Sequence, residues 1–294
     1  MRKFVKIISL VIVVAMVATL AVAFTGCNDK PSGEKEKLYV GLECAYAPFN
    51  FTQSDDSNGA VPIYNTNYKR ATGYANGYDV MIAKKIAESM GRELVIVKME
   101  WDPLIPAVMA GTIDMIIAGM SPTAERKQSI DFSDAYYDSQ LVVVVRKDGA
   151  YKDAQSLADL SGAKITAQSG TFHLDALNAQ GPAKGIVNPY QQGMEDFPAM
   201  INALNTRVID GYVAEEPGAV ENCASNSDFT YIHLTNNGTG FAASAEDTAI
   251  AVGLKKGSAL TAQVNAALAA INQETRLQMM VQATNYSTGT NVVE

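Results

Sequence analysis

From Leu38 onward two hydrophobic rhythms take turns along the chain: short, nearly unbroken apolar runs, and stretches where apolar residues recur every three or four positions. The first suits strands covered on both faces, the second helices with one buried stripe. Leu38 to Leu42 predicts a strand. Asp79 predicts a helix cap, followed by Val80, Ala83, Ile86 or Ala87, and Met90 at helical spacing, with Gly91 as the stop. Leu94 to Met99 is a β-branched-rich strand, and Asp102 with Pro103 signals a short helix ending at Gly111, since proline at the first helical position gives up only an N–H that had no partner. Ile113 to Ala118 is again a strand, halted by Gly119, Met120, Ser121 and Pro122.

The second half repeats this logic. Leu141 to Val145, Lys164 to Ala167, Val208 to Ala214 and Thr248 to Leu254 read as strands, and Phe197 to Thr206 as a helix. Ser258 to Ile271 is an alanine-rich helix with Leu260, Val264, Leu268 and Ile271 on one stripe. Alternation of this kind argues for α/β layers. AGTIDMIIAGMSPT, from Ala110, and NTRVIDGYVAEEPG, from Asn205, both run from a helix end through an Asp-containing strand into a polar loop with Pro. That echo suits two similar lobes, though two unrelated strand-to-loop units would give it too. Thr52 to Asn76, rich in Asn, Ser, Gly and Tyr, predicts a long loop.

Ahead of this region the pattern changes. Arg2, Lys3 and Lys6 precede an apolar run from Ile7 to Phe24, broken only by Ser9 and Thr19, and then come Thr25, Gly26 and Cys27. This order predicts a secretion signal over residues 1–26. It resembles a lipoprotein cleavage site, with the lipid carried by Cys27. The other reading is an uncleaved membrane anchor, because a spanning helix needs about 20 apolar residues. Both place the remainder outside the cytoplasmic membrane. Residues 27–37, with alternating charges, Pro31 and Gly33, read as a solvated tether.

With 294 residues, 48% hydrophobic and 18% charged, the chain is too apolar for a disordered protein. A formal net charge of −8, made more negative by removal of the basic signal, makes it a poor nucleic-acid binder. His173 and His233, the two histidines, form neither a zinc constellation nor a Ser-His-Asp set, and each is expected as a surface or partly buried side chain. Cys44 and Cys223 lack metal or redox spacing, and nothing indicates a disulfide between them.

In open α/β sheets ligands bind beyond the carboxyl ends of strands. The loops there are ECAYAPF from Glu43, the turn at Trp101, GMSPTAER from Gly119, QSGTF from Gln168 and EEP from Glu215. Together they hold an arginine suited to a carboxylate, acids suited to an ammonium, hydroxyls and aromatic faces, a set that fits a zwitterion. Taken singly each has a plainer reading: Arg126 as a helix cap, Trp101 as core, Glu215 with Glu216 as solvated surface.

These motifs resemble the extracellular solute-binding proteins of polar amino-acid ABC importers (bacterial solute-binding protein family 3). The likeness runs from about Leu38 to about Met280 on GLECAYAPF, GYDVMIAKKIAESMG, WDPLIPAVMAGTIDMIIAGMSPTAERKQSIDFSDAYY and SLADLSGAKITAQSGT. It implies the two-lobed α/β fold of type II periplasmic binding proteins, with lobe 1 over 38–144 and 240–290, lobe 2 over 145–239, hinge strands near Val143 to Arg146 and between Leu234 and Phe241, and the ligand between the lobes. It also implies roles. Arg126 holds the α-carboxylate with backbone N–H groups at Ser121 and Thr171; Glu215, where the family usually has Asp, takes the α-ammonium with Ser121 and the Gly119 carbonyl. Tyr46 and Trp101 sandwich the side chain, and Glu43 lies near its tip. A carboxylate between aromatic faces favours a cationic ligand, arginine or lysine ahead of histidine or glutamine. The expected protein is a monomeric, lipid-anchored receptor on the outer face of the cell membrane. It serves a permease and is not an enzyme, with no cofactor, metal or nucleic-acid partner. The alternative from another class is a cyclohexadienyl or arogenate dehydratase on the same fold, with Glu43, Glu215 or His173 as proton donor. A receptor sensing domain is disfavoured, as no second apolar span follows.

Overall fold

The computed structural model describes residues 35–289; the signal, Cys27 and most of the tether lie outside them. The chain enters through β1 (Lys37–Leu42), β2 (Ala45–Tyr46), β3 (Asn50–Gln53), β4 (Val61–Tyr64) and β5 (Arg70–Asn76). Next come α1 (Tyr78–Ser89), β6 (Glu93–Lys98), α2 (Leu104–Ala110), β7 (Met115–Ile116), α3 (Arg126–Ser129) and β8 (Ile130–Asp138). The middle holds β9 (Leu141–Arg146), β10 (Ile165–Thr166), α4 (Phe172–Gln180), α5 (Phe197–Asn205), β11 (Gly211–Glu215), α6 (Glu216–Ser225) and β12 (Phe229–Ile232). It closes with α7 (Ala245–Thr248), β13 (Ala249–Lys255), α8 (Thr261–Ala269) and α9 (Gln273–Thr288). Two sheets result, one ordered β2-β3-β5-β4-β6-β1-β7-β13-β8 and the other β10-β11-β9-β12. This is a two-lobed α/β fold, one sheet to each lobe.

Parallel pairing of β1 with β6 and β7, and of β10 with β11, aims the carboxyl ends of these strands into the loops that hold the chemistry. β9 shows why its run is unbroken. Leu141, Val143 and Val145 pack in the core of the smaller sheet, while Val142 and Val144, on the opposite face, join the main core.

The sequence echo has a physical counterpart. The Asp114 carboxylate accepts the backbone N–H of Tyr39 at 2.8 Å while its own N–H bonds Tyr39 O at 2.8 Å. Asp210 does the same to Lys164, at 2.9 and 2.8 Å. In each lobe an Asp ahead of the strand fastens the neighbouring parallel strand.

Several expectations change. The loop over 52–76 is instead β3, β4 and β5, with Ile63 set against Ile96 of β6 and Ala75 fully buried. Its apolar positions are single and separated by polar residues facing water, so composition conceals the strand period. The hairpin turns at Asn65, whose Oδ1 accepts the N–H groups of Asn67 at 3.0 Å and Lys69 at 3.1 Å.

The crossing expected at Val143 to Arg146 lies at Ser139 and Gln140, because Val143 to Arg146 already pairs inside the smaller sheet. The return crossing falls between β12 and β13. Leu234 and Phe241 pack in the smaller core, and Ser139 N–H donates to Thr248 O at 3.0 Å where the two crossings run side by side. Helix α9, absent from the sequence expectations, starts at Asn272, whose Oδ1 caps Thr275 N at 2.8 Å. Its weak apolar stripe hid it, although the cap was legible.

Asp79 is not the cap of α1. The first N–H groups of that helix reach the Pro48 and Phe49 carbonyls at 2.9 and 2.7 Å, so no side-chain cap is needed. The N-cap position is Gly77 at φ +119°, where a Cβ would come within 2.4 Å of Phe49 O. The fully buried Asp79 side chain instead accepts from Asn50 Nδ2 at 2.8 Å and Tyr136 Oη at 2.7 Å, with a further bond from the Gly119 backbone. Asn50 in turn accepts Cys44 N at 2.8 Å, so one carboxylate ties together two loops that reach the site.

Asp79→Ala is expected to cost about 2–4 kcal/mol in chemical denaturation, since it strands buried donors. Burial, opposed by these hydrogen bonds, pushes the Asp79 carboxyl up to about 6. The folded state therefore holds this proton more tightly than the unfolded state does. The associated stability is fully present below about pH 4 and is lost as pH rises through about 6. Asp79→Asn removes that part of the pH profile.

Candidate functional site

Seven of the eight expected ligand-binding residues line one pocket: Tyr46, Trp101, Gly119, Ser121, Arg126, Thr171 and Glu215. They come from different elements. Tyr46 belongs to β2, Trp101 follows β6, and Gly119 to Arg126 follows β7. Thr171 caps α4 through its Oγ1, and Glu215 ends β11. Glu43 stands one residue removed from the pocket: its Oε1 accepts from Gln168 Nε2 at 2.8 Å, and Gln168 lines the wall.

Gln168, Phe172, His173 and Phe197 also line the pocket: Gln168 and Phe172 bound the expected QSGTF loop but had no contact assigned, His173 was named only as a proton donor in the dehydratase alternative, and Phe197 was not expected there. Phe197 lies 4.2 Å from Tyr46, centroid to centroid, with planes 14° apart. The signal for it was local: Asp196 caps the N-terminus of α5 by accepting Ala199 N at 2.8 Å, which leaves Phe197 at the mouth. His173, expected as a surface or partly buried side chain, is 5% exposed, and its Nε2 meets Glu215 Oε1 at 2.8 Å.

The walls touch directly. Tyr46 Oη donates to Glu215, Trp101 Nε1 donates to Gly170 O at 2.9 Å, and Arg126 Nη2 donates to the same oxygen at 3.1 Å. Arg126 Nη1 also donates to Ser121 O at 2.9 Å, and its guanidinium lies 5.1 Å from the Trp101 ring. Gly170 sits at φ +65°, a left-handed conformation that suits glycine, and a Cβ there would crowd Asp102 Oδ1 at 2.6 Å and Trp101 Cδ1 at 3.2 Å. Tyr46 lies in a strand of the larger sheet and Trp101 and Arg126 follow strands of it, while Gly170 follows a strand of the smaller sheet and Glu215 ends one. Between the walls is a void of about 20 Å³, the size of one water. A larger solute enters only as these contacts give way.

The electrostatics separate the charged groups. Burial lowers Arg126 to about 10, offset by Asp175, Glu215 and Glu125, so it stays cationic at neutral pH. Burial alone would raise Glu215, but His173 and the Tyr46 hydroxyl outweigh it and hold the carboxyl below its ordinary value. Burial pushes Glu43 up to about 8, against the Gln168 hydrogen bond and with help from Glu100, Asp196 and Asp102. The site therefore presents a guanidinium, an ionised carboxylate, stacked aromatic faces and, behind Gln168, a protonated acid in an acidic neighbourhood. Cys44 and Cys223 are free thiols.

Residues 38–283 match the model of the bacterial extracellular solute-binding proteins, family 3. The chain is 27% identical over 266 residues to the arginine-binding extracellular protein ArtP of Bacillus subtilis, covering 90% of this chain and 92% of the relative. It is 34% identical over 205 residues to a probable histidine-binding protein of Campylobacter jejuni, covering 69% and 70% of the two chains. Among solved structures, an amino acid ABC transporter substrate-binding protein from Streptococcus pneumoniae bound to L-arginine superposes with a TM-score of 0.71 at 27% identity. That match covers 85% of this chain and 94% of the other.

Proposed function

The chain belongs to the bacterial extracellular solute-binding proteins, family 3, and on that premise we propose that it captures a polar amino acid between its lobes and presents it to an ABC importer permease. The observation that carries the reading is the convergence of Arg126, Glu215 and a stacked aromatic wall at the junction of two sheets. Arg126 pairs with the α-carboxylate, supported by backbone N–H groups at Ser121 and Thr171. Glu215 meets the α-ammonium with the Gly119 carbonyl. Tyr46 and Trp101, joined by Phe197, flank the side chain, and Glu43 meets its far end. A cationic side chain fits best, since Glu43, Glu100, Asp102 and Asp196 gather there, and the matched relatives include proteins named for binding arginine and histidine. These relatives are binding proteins, which favours capture over the dehydratase reading.

The lobes comprise residues 38–138 with 249–289, and 141–243, and they close about the paired crossings. Ligand held by one lobe adds contacts to the other, and that differential affinity favours the closed form. A thermal-shift screen of arginine, lysine, histidine, glutamine and glutamate on the mature protein tests this. A ligand at 100 times its dissociation constant adds roughly 2.7 kcal/mol of stability. No shift with any of them rejects the reading; a preference for glutamate rejects the cationic part.

The receptor acts as a monomer tethered by lipid on Cys27, a reading supported by the basic, apolar, small-residue order of the first 27 residues. Cys27→Ser is expected to release the protein from the membrane fraction or stall its processing. Mass spectrometry finding unmodified Cys27 in a membrane-bound chain that still begins at Met1 would instead establish an uncleaved anchor.

A further inference from the structure

Trp101, the one tryptophan of the chain, bonds across the pocket by its edge. It follows β6 of the larger sheet, where its carbonyl accepts Leu104 N at 3.1 Å in the turn that opens α2. Its indole Nε1–H donates at 2.9 Å to Gly170 O, in the loop after β10 of the smaller sheet. That loop is closed on itself by Thr171, whose Oγ1 donates to Gln168 O at 2.7 Å. Glycine lets the backbone come this near, since a Cβ on Gly170 would stand only 3.4 Å from the indole nitrogen. The Arg126 guanidinium lies over the ring, 5.1 Å from its centroid. The indole is braced on its face and bonded at its edge.

Tyr46 to Glu215, Arg126 to Gly170 and Gln168 to Glu43 also join the two walls, but each uses a group that the amino-acid reading gives to the ligand. An incoming amine, carboxylate or side-chain tip competes with each of these. The bond from Trp101 to Gly170 O is of another kind. It pairs a donor-only N–H with a neutral carbonyl, and that reading assigns neither to the ligand.

We propose that Trp101 is a clasp: its indole N–H stays on Gly170 O when an amino acid is enclosed, and lengthens the stay of every ligand by the same factor. This rests on the capture reading above. Choice among ligands is left to Arg126, Glu215 and Glu43, while the clasp adds one increment to the closed form whatever the side chain. Departure has to break the bond and arrival precedes it, so the effect falls on the dissociation rate. Neither partner ionises in the ordinary pH range, so the increment is the same in acid and in base.

Trp101→Phe keeps an aromatic face and removes the N–H. Stopped-flow kinetics are measured on the mature protein with each amino acid that the thermal-shift screen shows bound, arginine first, at about pH 6 and about pH 8. Dissociation is expected to quicken by about three- to tenfold, the scale of one neutral hydrogen bond, with association within about twofold of wild type. The factor should agree within about twofold between ligands and between the two pH values. An unchanged dissociation rate, or a factor that follows the size or charge of the ligand side chain, overturns the proposal and leaves Trp101 as a ring against the ligand only.

A second measurement needs no substitution. With one tryptophan in the chain, the indole ¹⁵N–¹H spectrum is a single cross-peak that reports on Trp101 alone. Exchange of that N–H with water is expected to slow by about tenfold or more at saturating ligand, alike for every amino acid that binds. Exchange as fast with ligand as without it overturns the clasp while capture stands. A wild type that binds no amino acid in the screen overturns the capture reading itself and the proposal with it, which separates the two failures.

Discussion

Arg126→Ala is expected to weaken amino-acid binding by about 30-fold or more while the protein stays folded. The guanidinium hydrogen-bonds to the carbonyls of Ser121 and Gly170, and its face lies against Trp101. Carbonyl oxygens are neutral acceptors, so a ligand carboxylate arriving at the Gly170 side exchanges a neutral partner for a charged one, and charge-assisted bonds are roughly twice as strong. Removing the arginine leaves a desolvated carboxylate without its fork of donors, a loss of roughly 2–5 kcal/mol, or 30-fold upward at about 1.4 kcal/mol per decade. The fold should tolerate the change because Arg126 begins a short helix at the rim, and neither of its carbonyl partners lies within a strand. Calorimetry and a melting curve on the same sample check both halves. Near-normal affinity would remove Arg126 from the site, and Arg126→Lys should fall between, since an ammonium cannot make the paired contact.

The second large effect concerns Glu43 and pH. Its carboxyl, pushed by burial to about 8, is mostly protonated at neutral pH in the absence of a nearby cation. A guanidinium or ammonium placed against it favours the ionised form and lowers that value, so cation binding releases a proton. Affinity for arginine is accordingly expected to rise with pH, by up to about tenfold per unit, and to level off above about 8. Fold stability without ligand runs the other way. For this group it is fully present below about 4.5 and is lost as pH rises through about 8, because the folded state holds the proton more tightly than the unfolded state. Titration calorimetry of arginine in buffers of different ionisation heat measures the proton directly. Glu43→Gln should abolish its release and flatten the affinity profile, and a neutral ligand such as glutamine should release far less. A wild type that takes up arginine with no proton exchange near pH 7 would show that Glu43 does not meet the side chain.

Much of the architecture was legible without coordinates. LVVVV in β9 and LYVGL in β1 are continuous because both faces of each strand are covered, and a continuous apolar run is a local property. The start of α2 at Pro103 and its end at Gly111, φ +77°, are likewise written in one or two residues. The paired Asp114 and Asp210 were visible as an echo, though not that each carboxylate fastens a neighbouring strand.

Residues 52–76 were misread for the opposite reason. Their strands join the larger sheet with single buried side chains such as Ile63 and Ala75, and no run of sequence announces that. Asp79 looks like a helix cap by position, but the carbonyls of Pro48 and Phe49 arrive from a separate loop and free its carboxylate for Asn50 and Tyr136.

At the site the division is the same. Residue type and loop position were enough to nominate Tyr46, Trp101, Arg126 and Glu215, because chemistry beyond strand ends is concentrated in few loops. Only the tertiary structure set Gln168 against Glu43, 125 positions away, turned Phe197 onto Tyr46, and buried His173 against Glu215. Hydrophobic period is a property of neighbours in sequence. The protonation of Glu43 depends on desolvation and on partners from distant segments, and those exist only once two separately patterned sheets face each other.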